Sequence, residues 1–95
     1  MKSNTDTEIL LDPTVENETN EVKLRELVLY IDVYNTVEFV IESLIEVCDH
    51  DLLQAEQCTY IIHYNGKCAV KSGTYDILNP MRVALCDRGL SAVVD

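Results

Sequence analysis

Residues 27–48 read LVLYIDVYNTVEFVIESLIEVC, and a change of period inside this stretch decides the architecture. Leu27, Val28, Leu29, Tyr30 and Ile31 form an unbroken β-prone run, strand-sized and well short of the ~18 apolar residues of a membrane span. With no polar residue interrupting it, this strand is expected to be covered on both faces. From Val37 onward the apolar positions switch to helical spacing. Val37, Val40, Ile41, Leu44, Ile45 and Cys48 fall on one side, and Glu38, Glu42 and Glu46 line the other as a solvated face. Asn35 is the expected N-cap, with Glu38 three residues on as its capping-box partner.

Downstream, Asp51 is the next cap, and Leu52, Ala55, Cys58, Thr59 and Ile62 make a second helical stripe running toward His63. Asn65-Gly66 stops that helix. Lys67 to Ser72 alternates loosely and reads as a second strand, ended by Gly73. Thr74 opens a further helical segment, but an interior proline removes a backbone hydrogen bond and crowds the preceding turn. Pro80 therefore predicts a single turn over residues 75–78, then a helix capped by Asn79 that runs to about Asp87 and is closed by Gly89. Leu90, Ala92, Val93 and Val94 form the last strand. The result is an α+β domain of order β-α-α-β-α-β, a three-stranded antiparallel sheet packed against three helices.

Upstream, residues 1–22 hold six acids against one base, Lys2, with Ser, Thr and Asn between them and Pro13 breaking any helix. They are expected to be a disordered acidic tail, with the domain over residues 23–95. Met1-Lys2 runs straight into polar residues, without the apolar stretch of a signal peptide. A soluble, cytoplasmic protein is expected. The 95 residues allow one hydrophobic core, and a net charge of −10 disfavours nucleic acid and anionic membrane in favour of a protein partner.

The four cysteines, Cys48, Cys58, Cys68 and Cys86, contain no C-x-x-C pair, so neither metal nor disulfide is expected. They read as small buried apolar side chains in a reducing compartment. Asp32 and His63 have the residue types of an acid that orients a base, but no nucleophile completes a triad. Cys58, five positions before His63, points about 140° away from it on a helix. No catalytic residue and no cofactor are expected.

The order of elements, with Leu29-Tyr30, Glu38-Phe39-Val40-Ile41, Ala55-Glu56-Gln57, His63-Tyr64-Asn65-Gly66-Lys67 and Gly89-Leu90 in sequence, resembles ClpS, the adaptor of the ATP-dependent Clp protease. The resemblance is collinear over residues 24–95. It implies a recognition module without catalysis, probing for proteins whose first residue is bulky and hydrophobic (N-degrons) and handing them to a hexameric AAA+ unfoldase. A monomer without cofactor is implied.

Residue by residue, the family's Asn-Asp-Asp segment, which holds the ligand's α-amino group, falls on Ile31-Asp32-Val33, so only the middle acid is kept. The family's amine-binding histidine falls on His63. Pocket-wall positions fall on Val37, Val40, Thr59, Ile62 and Leu90. The docking surface for the unfoldase implies an acid at Asp76, while the family's lysine is replaced by Met81, with Arg82 beside it. A buried ammonium brings three donors and a charge, and Ile31 and Val33 offer it no side-chain acceptor. Two functions therefore stand side by side: delivery of substrates with a hydrophobic first residue, or a regulator or scaffold of the same fold that has lost free-amine reading.

Overall fold

The computed structural model describes residues 22–95. The acidic tail expected over residues 1–22 lies outside the described residues apart from Val22, which is exposed. The elements are β1 (Arg25–Tyr30), α1 (Val37–Cys48), α2 (Leu52–Asn65), β2 (Lys67–Gly73), α3 (Tyr75–Asp87) and β3 (Ser91–Val94), in the expected order. β1 is the central strand, antiparallel to β2 on one side and β3 on the other.

The pleat sends Leu27 and Leu29 to the face that meets the helices, where they join Leu44, Cys48, Ala55, Ile62, Val70, Leu78, Leu85, Leu90 and Ala92 in one core. Glu26 and Tyr30 project from the other face and are exposed, with Lys67 over the Tyr30 ring at 5.8 Å. The expectation of a strand covered on both faces is thus corrected. Only Val28 is buried on the open face, because a central strand is flanked by side chains of both neighbours.

Local chemistry sets the helix ends. The Asp51 carboxylate accepts from the Gln54 N–H at 2.7 Å, as expected of a cap. Thr36, not Asn35, caps α1: its Oγ1 accepts from Phe39 N at 3.1 Å, and Asn35 is drawn elsewhere. Gly66 ends α2 at φ 90°, a backbone region costly to any residue with a Cβ. Gly89, at φ 89°, ends α3 with paired bonds from Gly89 N to Cys86 O and from Leu90 N to Leu85 O. That turn places Leu90 and Leu85 together in the core.

The expected break at Pro80 does not occur: α3 is one helix with Pro80 inside it. Asn79 is not a cap; its Oδ1 accepts from Arg82 Nε at 2.9 Å within the helix. Leu78 and Leu85, two turns apart on one stripe, are both fully buried. Their burial stabilises by about 1.5–3 kcal/mol each and keeps the helix continuous through a residue that removes a single hydrogen bond. In α2 the expected stripe is partly corrected, since Ala55, Thr59 and Ile62 are buried but Leu52 is 58% exposed. Leu53, Tyr60, Ile61 and Tyr64 are also exposed, so α2 is apolar on its outer side as well.

β2 carries a bulge. Leu27 pairs with Lys71 and Val28 with Ala69, which leaves Val70 without a partner on β1. Buried His50, in the α1–α2 turn, donates from Nε2 to the Val70 carbonyl at 2.7 Å. Lys71 Nζ donates to Cys48 O at 2.9 Å, which satisfies a carbonyl at the end of α1. His50→Leu is expected to cost about 1–3 kcal/mol, since it leaves the Val70 carbonyl buried without a donor. Urea denaturation measures this, and an unchanged midpoint would show that the bond contributes nothing.

The cysteines are free, but they are not four buried side chains. Cys48 is buried, Cys58 and Cys68 are half-buried, and Cys86 is exposed. Burial pushes the Cys48 thiol up to about 11, and burial together with neighbouring Cys58 pushes Cys68 up to about 12. The thiolate is the reactive form. Titration with a disulfide reagent at neutral pH should therefore show a fast phase from Cys86 that Cys86→Ser removes, with buried Cys48 reacting slowest. Among the described residues, no helix is long and apolar enough to cross a membrane.

Candidate functional site

Three turns converge at one end of the sheet. The loop leaving β1 is tied to the turn after α2 by the Ile31 N–H, which donates to Gly66 O at 2.9 Å. The same loop is tied to the turn after α3 by Asn35 Nδ2, which donates to Gly89 O at 3.1 Å. Between these ties and the first turn of α1 lies an open pocket of about 500 Å³. Its walls include Val37, Val40, Thr59, Ile62 and Leu90, with Asp32 and His63 and both departing positions, Ile31 and Val33. All nine positions singled out for the amine and the side-chain pocket are thus brought together, while the three docking positions, Asp76, Met81 and Arg82, lie outside it. Ile62 and Leu90 form buried wall, Thr59 is buried with its hydroxyl donating to Ala55 O at 2.8 Å, and Val37 is half exposed. An apolar cavity with a few convergent polar groups is the usual form of a small-ligand or side-chain site.

Asp32 is largely occupied with organising its own loop. Oδ1 accepts from Tyr34 N at 2.8 Å, Asn35 N at 2.9 Å and Asn35 Nδ2 at 3.1 Å, and Oδ2 accepts from Asn35 Nδ2 at 2.9 Å. Partial burial acts to raise its pKa, but the bonds from Asn35 and Tyr34 outweigh it and hold the carboxyl below the usual range. Asp32 is therefore ionised at neutral pH, with Oδ2 the less occupied oxygen. His63 stands in the last turn of α2, exposed, its ring edge-on to Tyr64 at 5.3 Å between centroids.

Asn35 is the site residue that sequence reasoning missed, having been read as a helix cap. It lines the pocket, and its amide nitrogen bridges Asp32 to Gly89 O, so its Oδ1 is left as a further acceptor. Asn beside Asp in a loop is a common turn signal, but its contact 54 residues away has no local sequence signature. Leu29, Tyr30 and Thr36 also line the pocket.

Ile31 and Val33 sit at the mouth, 46% and 88% exposed, and contribute apolar surface where acceptors were implied. On α3, outside the pocket lining, Asp76 is exposed in the first turn, Met81 packs against the core and Arg82 is half-buried, held by Asn79.

A comparison with curated protein sequences returns no match. Among solved structures, Agrobacterium tumefaciens ClpS2, determined bound to L-phenylalaninamide, matches this fold with a TM-score of 0.69. The match is at 21% identity and covers 79% of this chain and 98% of that one. The family model for the ATP-dependent Clp protease adaptor protein ClpS matches residues 20–92. The chain therefore belongs to the ClpS family, adaptors of the ATP-dependent Clp protease.

Proposed function

We propose that this chain is a cytoplasmic, monomeric adaptor, without catalysis of its own, that captures proteins by a bulky hydrophobic first residue and delivers them to the AAA+ unfoldase of a Clp protease. The observation that carries the reading is the apolar pocket with Asp32, Asn35 and His63 among its lining residues. Its volume suits a large side chain, and the three polar residues bring a negative charge and acceptors to the ammonium beside that side chain. The related ClpS2 holds L-phenylalaninamide, a bulky hydrophobic residue with a free α-amine. In this reading Val37, Val40, Thr59, Ile62 and Leu90 take the side chain. Asp32 supplies the counter-charge, and His63 accepts through one ring nitrogen. Asp76, Met81 and Arg82 belong to the unfoldase-docking surface, and the acidic segment over residues 1–22 is the extension offered to the unfoldase.

A fluorescent peptide beginning with Phe or Leu, compared with its acetylated form, tests the reading. Acetylation removes a charge-assisted set of hydrogen bonds worth about 1.5–3 kcal/mol, so affinity should fall at least about tenfold. Ile31→Asn adds an acceptor at the mouth and is expected to raise affinity for the free-amine peptide by a further factor of about ten; unchanged binding refutes the role given to that position.

A second reading rests on a specific observation: Ile31 and Val33 carry no acceptor, and Asp32 Oδ1 already receives three donors. The domain would then be a regulator or scaffold on the unfoldase that no longer reads a free amine. Loss of binding to every hydrophobic first residue, with retained pull-down of a Clp unfoldase, selects it over the first.

A further inference from the structure

Two of the four cysteines face each other where α2 packs on β2. Cys68 pairs with Leu29 on β1, and directly opposite residues of an antiparallel pair project to the same side. Leu29 is part of the core beneath the helices, so Cys68 points toward α2 as well. Cys58 follows buried Ala55 by three positions and precedes buried Ile62 by four, which sets it on the flank of the helix face that meets the sheet. Both side chains are half-buried against the core, and their thiols meet in a side-chain hydrogen bond. Cys48 and Cys86 are placed differently. The first is fully buried at the end of α1, and the second is exposed on α3 with its thiol donating to Ala92 O at 3.6 Å.

We propose that Cys58 and Cys68 are a reversible modification site, closed to a disulfide by a hydroperoxide and reopened by a dithiol, and that closure loosens the neighbouring pocket. The Cys58 sulfur, having given up its proton, attacks one peroxide oxygen; the O–O bond breaks, and Cys58 becomes a sulfenic acid. The hydroxide that leaves with the electron pair takes up the proton as water. The Cys68 sulfur then attacks the Cys58 sulfur, its proton goes to the departing hydroxyl, and a second water leaves. In sum two thiols and one hydrogen peroxide give one disulfide and two waters, the sulfurs losing the two electrons that the peroxide gains. Burial beside Cys58 keeps Cys68 protonated, which makes Cys58 the sulfur attacked first and Cys68 its resolving partner. Closure shortens the sulfur separation from contact to about 2.05 Å and draws α2 onto β2. Thr59 and Ile62 move with the helix, away from Val37 and Val40 on α1 across the pocket. A gap of ~0.5–1 Å forfeits a quarter to a half of a dispersion contact. The bridged segment, residues 59–67, also carries His63 and Gly66, whose carbonyl accepts from Ile31 N. The loosening of the pocket rests on the functional reading above, whereas the modification itself does not.

The test uses the full chain with Cys86→Ser, so that the exposed thiol cannot link two molecules. Reduced protein is treated with hydrogen peroxide, the remaining thiols are alkylated, and the digest is mapped by mass spectrometry. The expected product has lost two hydrogens and two titratable thiols, carries a Cys58–Cys68 cross-linked peptide, and returns to the starting mass with dithiothreitol. Cys58→Ser and Cys68→Ser should each abolish the cross-link. Sulfinic acid on a single cysteine without a cross-link overturns the site, and so does a Cys48–Cys58 link in its place. Affinity for a fluorescent free-amine Phe peptide is expected to fall about 3–10-fold on oxidation and to recover on reduction, with no such change in Cys58→Ser. An unchanged affinity of the cross-linked protein overturns the coupling to the pocket. Failure of the reduced protein to bind any free-amine peptide overturns the functional reading and the coupling with it, while the cross-link is still decided by mass.

Discussion

Leu44→Ala is expected to destabilise the domain by about 2–5 kcal/mol, whereas Leu52→Ala should change stability by no more than about 0.5 kcal/mol. Both are leucines on helices, and both belong to the apolar stripes visible in the sequence. Leu44 is fully buried in the core, on the face of α1 turned toward the sheet. Truncation there removes the transfer free energy of the lost atoms and leaves a cavity that a close-packed interior refills only in part. Leu52 opens α2 and is 58% exposed, so its side chain loses little on truncation. A domain of this size has about 5–10 kcal/mol of stability in all, so the Leu44 variant should lose a large share of it and unfold at a clearly lower urea concentration than the parent. The chain has no tryptophan, so circular dichroism or tyrosine fluorescence in urea provides the measurement. A loss below about 1 kcal/mol for Leu44→Ala would contradict the packing described.

The second large effect concerns Asn35. Asn35→Ala removes the donor that satisfies both Asp32 oxygens and the Gly89 carbonyl. The β1–α1 loop is then untied from the α3–β3 turn, and the Asp32 carboxylate loses part of the set that holds it ionised in place. The mouth of the pocket also loses the Asn35 Oδ1 acceptor. The combined effect on a free-amine Phe peptide should be a fall in affinity of about 10–100-fold, from one or two hydrogen bonds to charged groups. Stability should fall by a smaller amount, about 1–2 kcal/mol, because the loop is at the surface and water can replace part of what is lost. Calorimetric titration beside thermal unfolding separates the two. Thr36→Ala provides the contrast: it removes the true cap of α1 and should act on stability more than on binding. If Asn35→Ala binds as the parent does, the role given to its side chain at the mouth is wrong.

Much of this architecture was legible beforehand because its signals are local. The switch from the run at Leu27–Ile31 to helical spacing from Val37 depends only on which side chains share a face. Asp51 as a cap and Gly66 and Gly89 as helix ends depend on single residues and their neighbours. The gathering of Val37, Val40, Thr59, Ile62 and Leu90 with Asp32 and His63 came through the family resemblance, whose motifs are collinear with these positions.

What was misread has one physical cause in each case, and that cause lies outside the local window. Pro80 weakens a helix locally, but the burial of Leu78 and Leu85 on one stripe keeps α3 continuous. Asn35 and Thr36 are both acceptable caps, and Asn35 is drawn instead to the Asp32 carboxylate and to a carbonyl 54 residues away. Leu52 and Ala55 fit the same stripe, yet only the packing of α2 against α1 and β2 determines which is covered. The apolar run of β1 gave no sign that one face of the sheet would stay open. The sequence by itself determined the order of elements, the helix stops and the family, because these follow from propensity, periodicity and motif order. Only the tertiary structure decided which acceptors face the pocket and that the thiols of Cys58 and Cys68 meet between α2 and β2, because these are contacts between separate elements that no local pattern encodes.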